Sequence, residues 1–333
     1  MISAVNRRVW LALAALAVLF TLFLSYKLIR ASWMIQAVLL VGGLACYMIV
    51  PIKKFIYQVG YKWFCICVYE NSTFWEIFYD MACVLFPSKE INQINYGYAP
   101  LTDDGRLIQL DQKDEAERMS LQLYHRTATL METHKDLEGL TILEVSSGRA
   151  GGIDYLSRTF AVKKIIGLDL SSNTIQWCEK NYSSNSKLEF KLGNAETFVD
   201  DGTLSADSVD IIISVDSAHL YPNFDRFIDQ CKKALKKGGF LSISDFMHSE
   251  RFPAKEQVLK ECGMTMKKNE STTKNILHAM DLDGERRRKL VNDHAHPLLK
   301  PYFRWQTGAK GSRIYNLLKT GEFIGAGWLL QKN

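Results

Sequence analysis

Short apolar runs and segments of helical periodicity alternate along the chain from residue 141 to the C-terminus. Apolar runs of about four to eight residues bounded by small or polar residues are typical of buried strands, whereas apolar residues three or four positions apart are typical of helices. The pattern predicts strands over 141–144, 165–168, 188–192, 209–215, 240–245 and 323–330, and helices over 113–134, 153–160, 173–182 and 224–235. Strands that alternate with helices form a parallel sheet covered on both faces, so the predicted fold class is α/β, doubly wound and Rossmann-like.

The remaining segments fix the expected boundaries of this domain. The chain from Pro87 to Asp111 lacks helical periodicity and carries a loop signal, so the folded domain is expected to span about 112–333. Gly238-Gly239 is predicted to form the turn between the helix that ends near 235 and the strand that follows. Residues 254–304 are predicted to form a helical insertion over the ligand site, and the helix over 113–134 is expected to pack beside the first strand.

A turn of small residues follows the first predicted strand and indicates a ligand loop. The strand ends in Glu144, and the residues from Ser146 to Gly152 are mostly small. Small residues let a ligand approach the backbone closely, and the amides at the start of the next helix favour polar or anionic groups. The next strand ends in Asp169, about 20 residues further on, where a doubly wound fold places the acid that holds a ribose diol. The unit is therefore predicted to bind a nucleoside.

The glycine spacing of this loop argues against a dinucleotide. A dinucleotide fingerprint requires G-x-G-x-x-G, but the corresponding positions here are Gly148, Ala150 and Ile153. Hydride transfer is disfavoured accordingly. Other polar residues are predicted at or just after strand ends, where ligands bind in such sheets; they are Asn194, Asp216 and Asp245.

Two apolar runs at the N-terminus, Val9 to Leu24 and Ala31 to Val50, predict a transmembrane helical hairpin within residues 1–54. The alternative is a cleaved signal peptide, since two arginines precede the first run. The distribution of flanking basic residues places the bulk of the chain on the cytoplasmic side, with the endoplasmic reticulum as the favoured organelle. Residues 55–111 form an aromatic-rich interfacial and linker region, although its aromatic residues could equally cover the core of the domain.

Composition excludes several other classes of protein. The net charge of +5 is mild and there is no arginine-rich, aromatic-interleaved stripe, so no nucleic-acid partner is expected. Seven dispersed cysteines form neither a disulfide framework nor a zinc pattern. His294 and His296 stand together without an evident third ligand, so no metal is expected. Nothing in the sequence names a protein partner.

Five segments carry a resemblance to a known family. They are 123–129 (LYHRTAT), 143–146 (LEVS), 167–170 (GLDL), 193–196 (GNAE) and 217–222 (SAHLYP). Together they resemble the class I S-adenosylmethionine-dependent methyltransferases, and among these the phthiotriol/phenolphthiotriol dimycocerosates methyltransferases, which are related to the sterol C-methyltransferases. The resemblance covers about residue 92 to the C-terminus. It implies a seven-stranded methyltransferase sheet, S-adenosylmethionine as cofactor and a lipid or other hydrophobic methyl acceptor.

The resemblance also implies roles for individual residues around the cofactor. The methionine part is expected at Glu144 and the loop that follows, the ribose at Asp169 with Leu170, and the adenine at Asn194 with Ala195. The loop positions are Ser146, Gly148, Ala150 and Gly151, and Asp216 completes the expected cofactor site. Ser146 and Ala150 replace glycines of the family pattern, and Asn194 replaces an aspartate, which removes charge assistance from the hydrogen bond to adenine. Asp169 has a second interpretation, as a cap of the helix that begins near Ser171.

Methylation of an alcohol requires that the hydroxyl lose a proton, for which a nearby histidine is the usual base. His219 directly follows the fourth strand, where the transferred methyl group should lie, so it is the first candidate; His125 is the second. The tyrosines expected to line the acceptor pocket are Tyr96, Tyr98, Tyr124 and Tyr221. Two alternatives stay open at this point: carbon methylation of an alkene such as a sterol, and a catalytically degraded site in a membrane scaffold or binding protein.

Overall fold

The structure of the protein is a computed structural model, which describes Glu76, Asp80 and residues 95–101, 107–131, 133–134, 136–295, 297 and 300–333. The predicted hairpin, residues 1–54, and most of the aromatic-rich region over 55–111 lie outside these described residues. Among the described residues, none of the helices is both long enough and apolar enough to cross a bilayer.

One sheet organises the described chain. Its seven strands are β1 (Thr141–Val145), β2 (Lys164–Asp169), β3 (Leu188–Leu192), β4 (Val209–Val215), β5 (Leu235–His248), β6 (Thr265–Ser271) and β7 (Phe323–Gln331). They lie in the order β3-β2-β1-β4-β5-β7-β6. The first five strands are parallel, and β7 runs antiparallel between β5 and β6. This confirms the predicted doubly wound, seven-stranded α/β fold.

Eight α-helices accompany the sheet in the described residues. They are α1 (Arg118–Ala128), α2 (Gly151–Thr159), α3 (Ser172–Tyr182), α4 (Phe224–Ala234), α5 (Phe252–Glu261), α6 (Thr273–His294), α7 (Lys300–Gln306) and α8 (Arg313–Thr320). Short 3-10 turns cover Glu115–Glu117 and Ala218–Leu220. Alternate residues of the buried strands enter two apolar clusters: Leu143 and Ile212 belong to one, and Ile142 and Ile211 to the other. This period of two fills a core on each face of the sheet.

The prediction of a turn at Gly238-Gly239 is wrong, because these residues lie inside β5. The register jumps from Val209 opposite Leu235 to Ile211 opposite Phe240, so β5 contains a bulge. Gly238 has φ +79°, a backbone conformation that glycine adopts without a steric penalty. A glycine pair at a strand bulge therefore has the same sequence signature as a turn.

The predicted helical insertion over 254–304 is also corrected, since it contains strand β6 between α5 and α6. The sequence of β6, TMKKNES, is polar and mostly exposed. Lysines and other polar residues are common on strands at the edge of a sheet, where they discourage pairing with other chains. The apolar alternation that identifies a half-buried strand is therefore missing here.

The long helix predicted over 113–134 is shorter in the structure. Only Arg118–Ala128 forms α1, preceded by the 3-10 turn. The Thr127 hydroxyl donates to the Leu123 carbonyl and bonds Ser244 on β5 at 2.7 Å, which fixes α1 over the sheet. This position brings one face of α1 to the carboxyl end of β1.

Residues 95–101, here called the strap, pack on the domain. The amide of Tyr98 donates to the Met119 carbonyl at 3.0 Å, and the amide of Ala99 donates to the Asn275 carbonyl at 3.2 Å. The Asn275 side chain returns a hydrogen bond to the Ala99 carbonyl at 2.9 Å. The strap therefore joins α1 to α6.

Candidate active site

A cavity of about 450 Å³ opens at the carboxyl ends of the parallel strands. On one side it is lined by the loop after β1, the end of β2 and the residues after β3. On the other side it is lined by the strap, by β5 and by α6 and α7, which contribute the apolar residues Phe246, Leu290, Val291, Tyr302 and Phe303. Pockets of this size hold small molecules and cofactors. The cavity thus combines a polar side with a largely apolar side.

The loop after β1 explains why its family pattern favours glycine. Ser146, Gly148 and Ala150 all lie in the left-handed region, with φ of 60°, 51° and 59°. For residues with a Cβ this conformation costs about 1–2 kcal/mol each, so Ser146 and Ala150 are strained substitutes. A Cβ placed on Gly148 would meet nothing within 4 Å, which shows the open space above the loop.

Asp169 lies at the cavity and also holds this loop. Its carboxylate accepts hydrogen bonds from the amide of Gly148 at 2.9 Å and from the amide of Ser171 at 3.0 Å. The N-cap of α3 is Ser171, whose side chain accepts from the Thr174 amide, so Asp169 is not the cap of that helix. Burial raises the pKa of Asp169, although the two amides act in the opposite direction.

The residues expected at the adenine and ribose also line the cavity. Leu170, Asn194 and Ala195 follow β2 and β3 as predicted. The side-chain carbonyl of Asn194 accepts from the Glu196 amide at 2.8 Å, so this oxygen organises its own turn. Asp80 also reaches this region, although no sequence pattern predicted it: its carboxylate contacts the Ser171 hydroxyl and accepts from the Asn173 amide.

Glu144 does not line the cavity but lies directly behind it. The hydroxyl of Tyr124 donates to its Oε1 at 2.6 Å, and both residues are buried. Burial raises the pKa of Glu144 well above its usual range. The Tyr124 ring occupies the space above Gly152, where a Cβ would come within 2.2 Å of it. Tyr124 lines the cavity and therefore stands between it and Glu144.

The structure does not bring every predicted site residue to the cavity. His125 faces away from it, with Nδ1 at 2.9 Å from the Tyr155 hydroxyl and its ring at 5.2 Å from that of Phe160. Tyr98 lies under the guanidinium of Arg126, at 4.8 Å. Consecutive residues of a helix point about 100° apart, which is why Tyr124 reaches the cavity and His125 does not. Ala150 and Gly151 begin α2 behind the loop and do not line the cavity either.

His219 lines the cavity and is paired with a buried carboxylate. Its Nδ1 lies 2.7 Å from Oδ1 of Asp245, and the two side chains are 15% and 0% exposed. The Phe246 amide also donates to Oδ1 of Asp245, at 2.8 Å. The buried ammonium of Lys255 donates to the carbonyl of Ala218 at 2.7 Å and fixes the turn that carries His219. Sequence reasoning placed Asp245 at a strand end but missed its pairing with His219.

Asp216 joins the strap to the end of β4. Its Oδ2 accepts from the amide of Tyr96 at 2.8 Å, and the Tyr96 hydroxyl donates to the Gln306 carbonyl at 3.0 Å. The Tyr96 ring meets Phe246 edge to face, with centroids 5.1 Å apart. Burial, reinforced by the nearby charge of Asp245, raises the pKa of Asp216 to about 7. Tyr96 thus covers the acceptor side of the cavity close to His219.

Tyr221 supports the cofactor loop as well as the cavity wall. Its hydroxyl lies 2.8 Å from Oγ of Ser146 and donates to Oγ of Ser217 at 3.1 Å. The first of these interactions holds the side chain of Ser146 in the loop after β1. Among the described residues, no group of three or more His, Cys, Asp or Glu side chains could hold a metal ion.

The raised pKa of Asp216 predicts a pH-dependent effect on stability. The folded protein retains the proton up to about pH 7, whereas the unfolded chain releases it near pH 3.8, so the stability contributed by this group is lost as pH rises through that window. We expect Asp216→Asn, which stays neutral and can still accept from the Tyr96 amide, to gain about 2–3 kcal/mol of unfolding free energy relative to wild type between pH 5 and pH 8. Denaturant unfolding at the two pH values measures it.

The matched control for this prediction is Asp225→Asn, an exposed aspartate on α4. Its unfolding free energy relative to wild type should change little with pH. An Asp216→Asn variant whose relative stability is the same at pH 5 and pH 8 would show that Asp216 is already ionised at the lower pH.

Comparisons with known proteins agree with this site. The family described as "Methyltransferase domain" matches residues 136–319, more than half of the chain. The chain is 30% identical over 248 residues to a phthiotriol/phenolphthiotriol dimycocerosates methyltransferase of Mycobacterium leprae, covering 74% of this chain and 88% of the relative. It is 31% identical over 226 residues to a fatty-acid O-methyltransferase of Mycolicibacterium smegmatis, covering 68% and 78%.

A solved structure shows the same fold. The cyclopropane synthase MmaA2 of Mycobacterium tuberculosis superimposes with a TM-score of 0.55 at 16% identity, covering 76% of this chain and 95% of that structure. The family match, the level of identity and the nucleoside-type loop with its strand-end acid lead to one conclusion. The chain belongs to the S-adenosylmethionine-dependent methyltransferases, and S-adenosylmethionine is its cofactor.

Proposed function

We propose that the protein transfers a methyl group from S-adenosylmethionine to a hydroxyl of a lipid or other hydrophobic acceptor, and that it is anchored in a membrane by its N-terminal hairpin. The observation that carries the hydroxyl acceptor is the His219–Asp245 pair at a cavity with an apolar side. A carboxylate on Nδ1 leaves Nε2 as the ring nitrogen for a ligand in the cavity. This arrangement suits removal of a proton from an alcohol.

The residues around the loop after β1 fit the cofactor. The Asp169 carboxylate lines the cavity at the position expected for a ribose diol. Ser147 also lines it through other atoms, while its buried hydroxyl packs over Gly167 of β2. When bound, S-adenosylmethionine supplies an electrophilic methyl group on a sulfonium. The chain must hold it next to the acceptor and exclude water.

His219 performs the proton transfer in this proposal. The acceptor hydroxyl donates to Nε2 of His219 and gives up its proton there, which would leave the acceptor oxygen able to receive the methyl group that bound S-adenosylmethionine would supply. Asp245 acts as a positioning residue, because its hydrogen bond fixes the tautomer and the orientation of the ring and stabilises the imidazolium that forms. Tyr96 and Phe246 enclose the acceptor beside His219, and reacting atoms must be held at about 3–3.5 Å.

The two named relatives support a lipid acceptor. One is named for phthiotriol and phenolphthiotriol dimycocerosates and the other for fatty acids. Both names describe molecules with long apolar parts, which matches the apolar lining contributed by α6 and α7. An acceptor of this kind is also consistent with an enzyme anchored in the bilayer in which such molecules dissolve.

Carbon methylation is a second candidate, favoured by a different observation. Tyr96, Phe246 and the carboxyl of Asp216 meet close to His219, and aromatic faces and carboxylates can stabilise a carbocation. In that reaction His219 would not act as the base toward a hydroxyl. Substitution of His219 separates the two reactions, because only oxygen methylation needs it as the base.

One experiment tests both the anchor and the acceptor. Membranes that contain the full chain are washed with alkaline carbonate, incubated with methyl-deuterated S-adenosylmethionine and extracted for mass spectrometry of lipids. We expect the protein to stay in the washed membranes and the deuterated methyl to appear as a methyl ether in the lipid extract, because methylation of a hydroxyl gives an ether. Release of the protein by carbonate would contradict the proposed membrane anchor. A lipid product whose deuterated methyl group is bonded to carbon would show carbon methylation in place of oxygen methylation.

A further inference from the structure

The positive charge of the chain is concentrated in one segment next to the cavity. Residues 281–320 contain nine lysines and arginines and four aspartates and glutamates, a net charge of +5. This equals the net charge of the full chain, so the remaining residues are neutral in sum. The segment includes most of α6, α7 and α8, which form the acceptor side of the cavity. The net positive charge of the chain therefore lies on the acceptor side of the cavity.

The two helices α6 and α7 have different inner and outer faces. Their inner faces line the cavity with Leu290, Val291, Tyr302 and Phe303. Their outer faces and the loop after α7 carry a basic patch that consists of Arg288, Lys289 and Arg304 on the helices and Lys310 in the loop. The first two side chains are 42% and 76% exposed, and the other two residues are exposed.

The four cations of the basic patch are neighbours in space. A guanidinium nitrogen of Arg288 donates to the Lys310 carbonyl, and Nε of Arg304 donates to the Asn292 side chain, one turn along α6. Glu285 and Asp293 pair with Arg288 and Lys289 at the surface. Exposed pairs of this kind contribute about 0–1 kcal/mol, so an anionic partner can displace the carboxylates at little cost.

We infer that the basic patch is a docking surface for an anionic lipid bilayer, which places the apolar side of the cavity next to the membrane. Each Lys or Arg near an anionic membrane surface strengthens binding by about fivefold. The cations lie on the outer side of the same helices whose inner side lines the cavity with Tyr302 and Phe303, so a bilayer at the patch would lie close to that apolar lining. Entry of a lipid acceptor from the bilayer into the cavity rests on the proposed function, whereas docking of the patch on the bilayer does not.

Amide hydrogen exchange of the full chain in nanodiscs tests this docking. Discs of phosphatidylcholine alone are compared with discs that contain about 30% phosphatidylserine, since only the second surface is anionic. We expect exchange over residues 286–310 to be slower in the anionic discs, and the difference to disappear at about 1 M salt, where charges are screened within a few ångströms. Equal exchange in both discs would overturn the inference.

A matched pair of variants assigns the effect to the patch. Replacement of Arg288, Lys289, Arg304 and Lys310 by glutamine should abolish the protection, with a loss of roughly a hundredfold or more in docking. The control replaces four exposed lysines elsewhere, namely Lys163, Lys180, Lys237 and Lys267, and should retain it. Both variants should bind S-adenosylhomocysteine as the parent does, which checks the fold.

The outcomes also separate the docking from the proposed function. Protection in anionic discs without any methylated lipid would leave the docking in place and remove the proposed acceptor. A methylated lipid without protection from exchange over residues 286–310 would support the proposed acceptor and overturn the docking. Equal loss of protection in both variants would show that total charge, and not this surface, attracts the membrane.

Discussion

Replacement of His219 by glutamine is expected to lower turnover by about 10²–10⁴-fold, the usual contribution of a general base. Glutamine keeps much of the size and polarity of the ring but cannot take the hydroxyl proton. Asp169 and the loop after β1 lie on the cofactor side of the cavity and are not altered, so affinity for S-adenosylhomocysteine should stay within about threefold of wild type. Single-turnover rates and calorimetry on the same preparation measure the two quantities.

Two further variants sharpen this test. His125→Gln is the matched control, because His125 bonds Tyr155 outside the cavity and should leave the rate unchanged. Asp245→Asn should lower kcat with little change in KM, since an amide cannot hold the Nδ1–H tautomer and stabilise the imidazolium as a carboxylate does. A His219→Gln enzyme that works at the wild-type rate would exclude His219 as base and favour carbon methylation.

The strands were predictable wherever burial leaves an apolar pattern. β4 has the predicted bounds because it is buried at every position except Asp210, which is only partly buried, and β3 has them because apolar and polar residues alternate along its sequence LEFKL, although none of its residues is fully buried. β6 was missed because an edge strand with lysines needs no apolar face, and the start of β5 was missed because Gly238-Gly239 forms a bulge there. In both places tertiary pairing with a neighbouring strand decides the structure, and local sequence carries no trace of that pairing.

The candidate site shows the same division between local and long-range information. Asp169, Asn194 and His219 could be placed because each follows a strand whose carboxyl end must face the ligand. Tyr124 and His125 are adjacent in sequence, and only the packing of α1 on the sheet decides which of them faces the cavity. The pairing of His219 with Asp245 depends on β4 and β5 being neighbours, and the contribution of Asp80 depends on a chain segment 91 residues before Ser171.

The second large effect is expected at the ribose. Asp169→Ala removes a carboxylate that can accept hydrogen bonds from two ribose hydroxyls, and hydrogen bonds to a charged group are worth about 1.5–3 kcal/mol each. We therefore expect affinity for S-adenosylhomocysteine, measured by calorimetry, to fall by at least about tenfold. Because the same carboxylate also accepts from Gly148 and Ser171, part of any loss could come from a loosened loop.

A ligand without the ribose hydroxyl separates recognition from loop support. Wild type should bind 2′-deoxy-S-adenosylhomocysteine several-fold more weakly than the parent ligand, whereas the Asp169→Ala variant should bind the two ligands about equally, because the partner of the missing hydroxyl is already gone. This is a double-mutant cycle with one change in the protein and one in the ligand, so damage to the loop cancels. If the variant still discriminates between the two ligands as wild type does, the hydroxyl is bound elsewhere, and Asp169 serves only to shape the loop that Gly148 and Ser171 border.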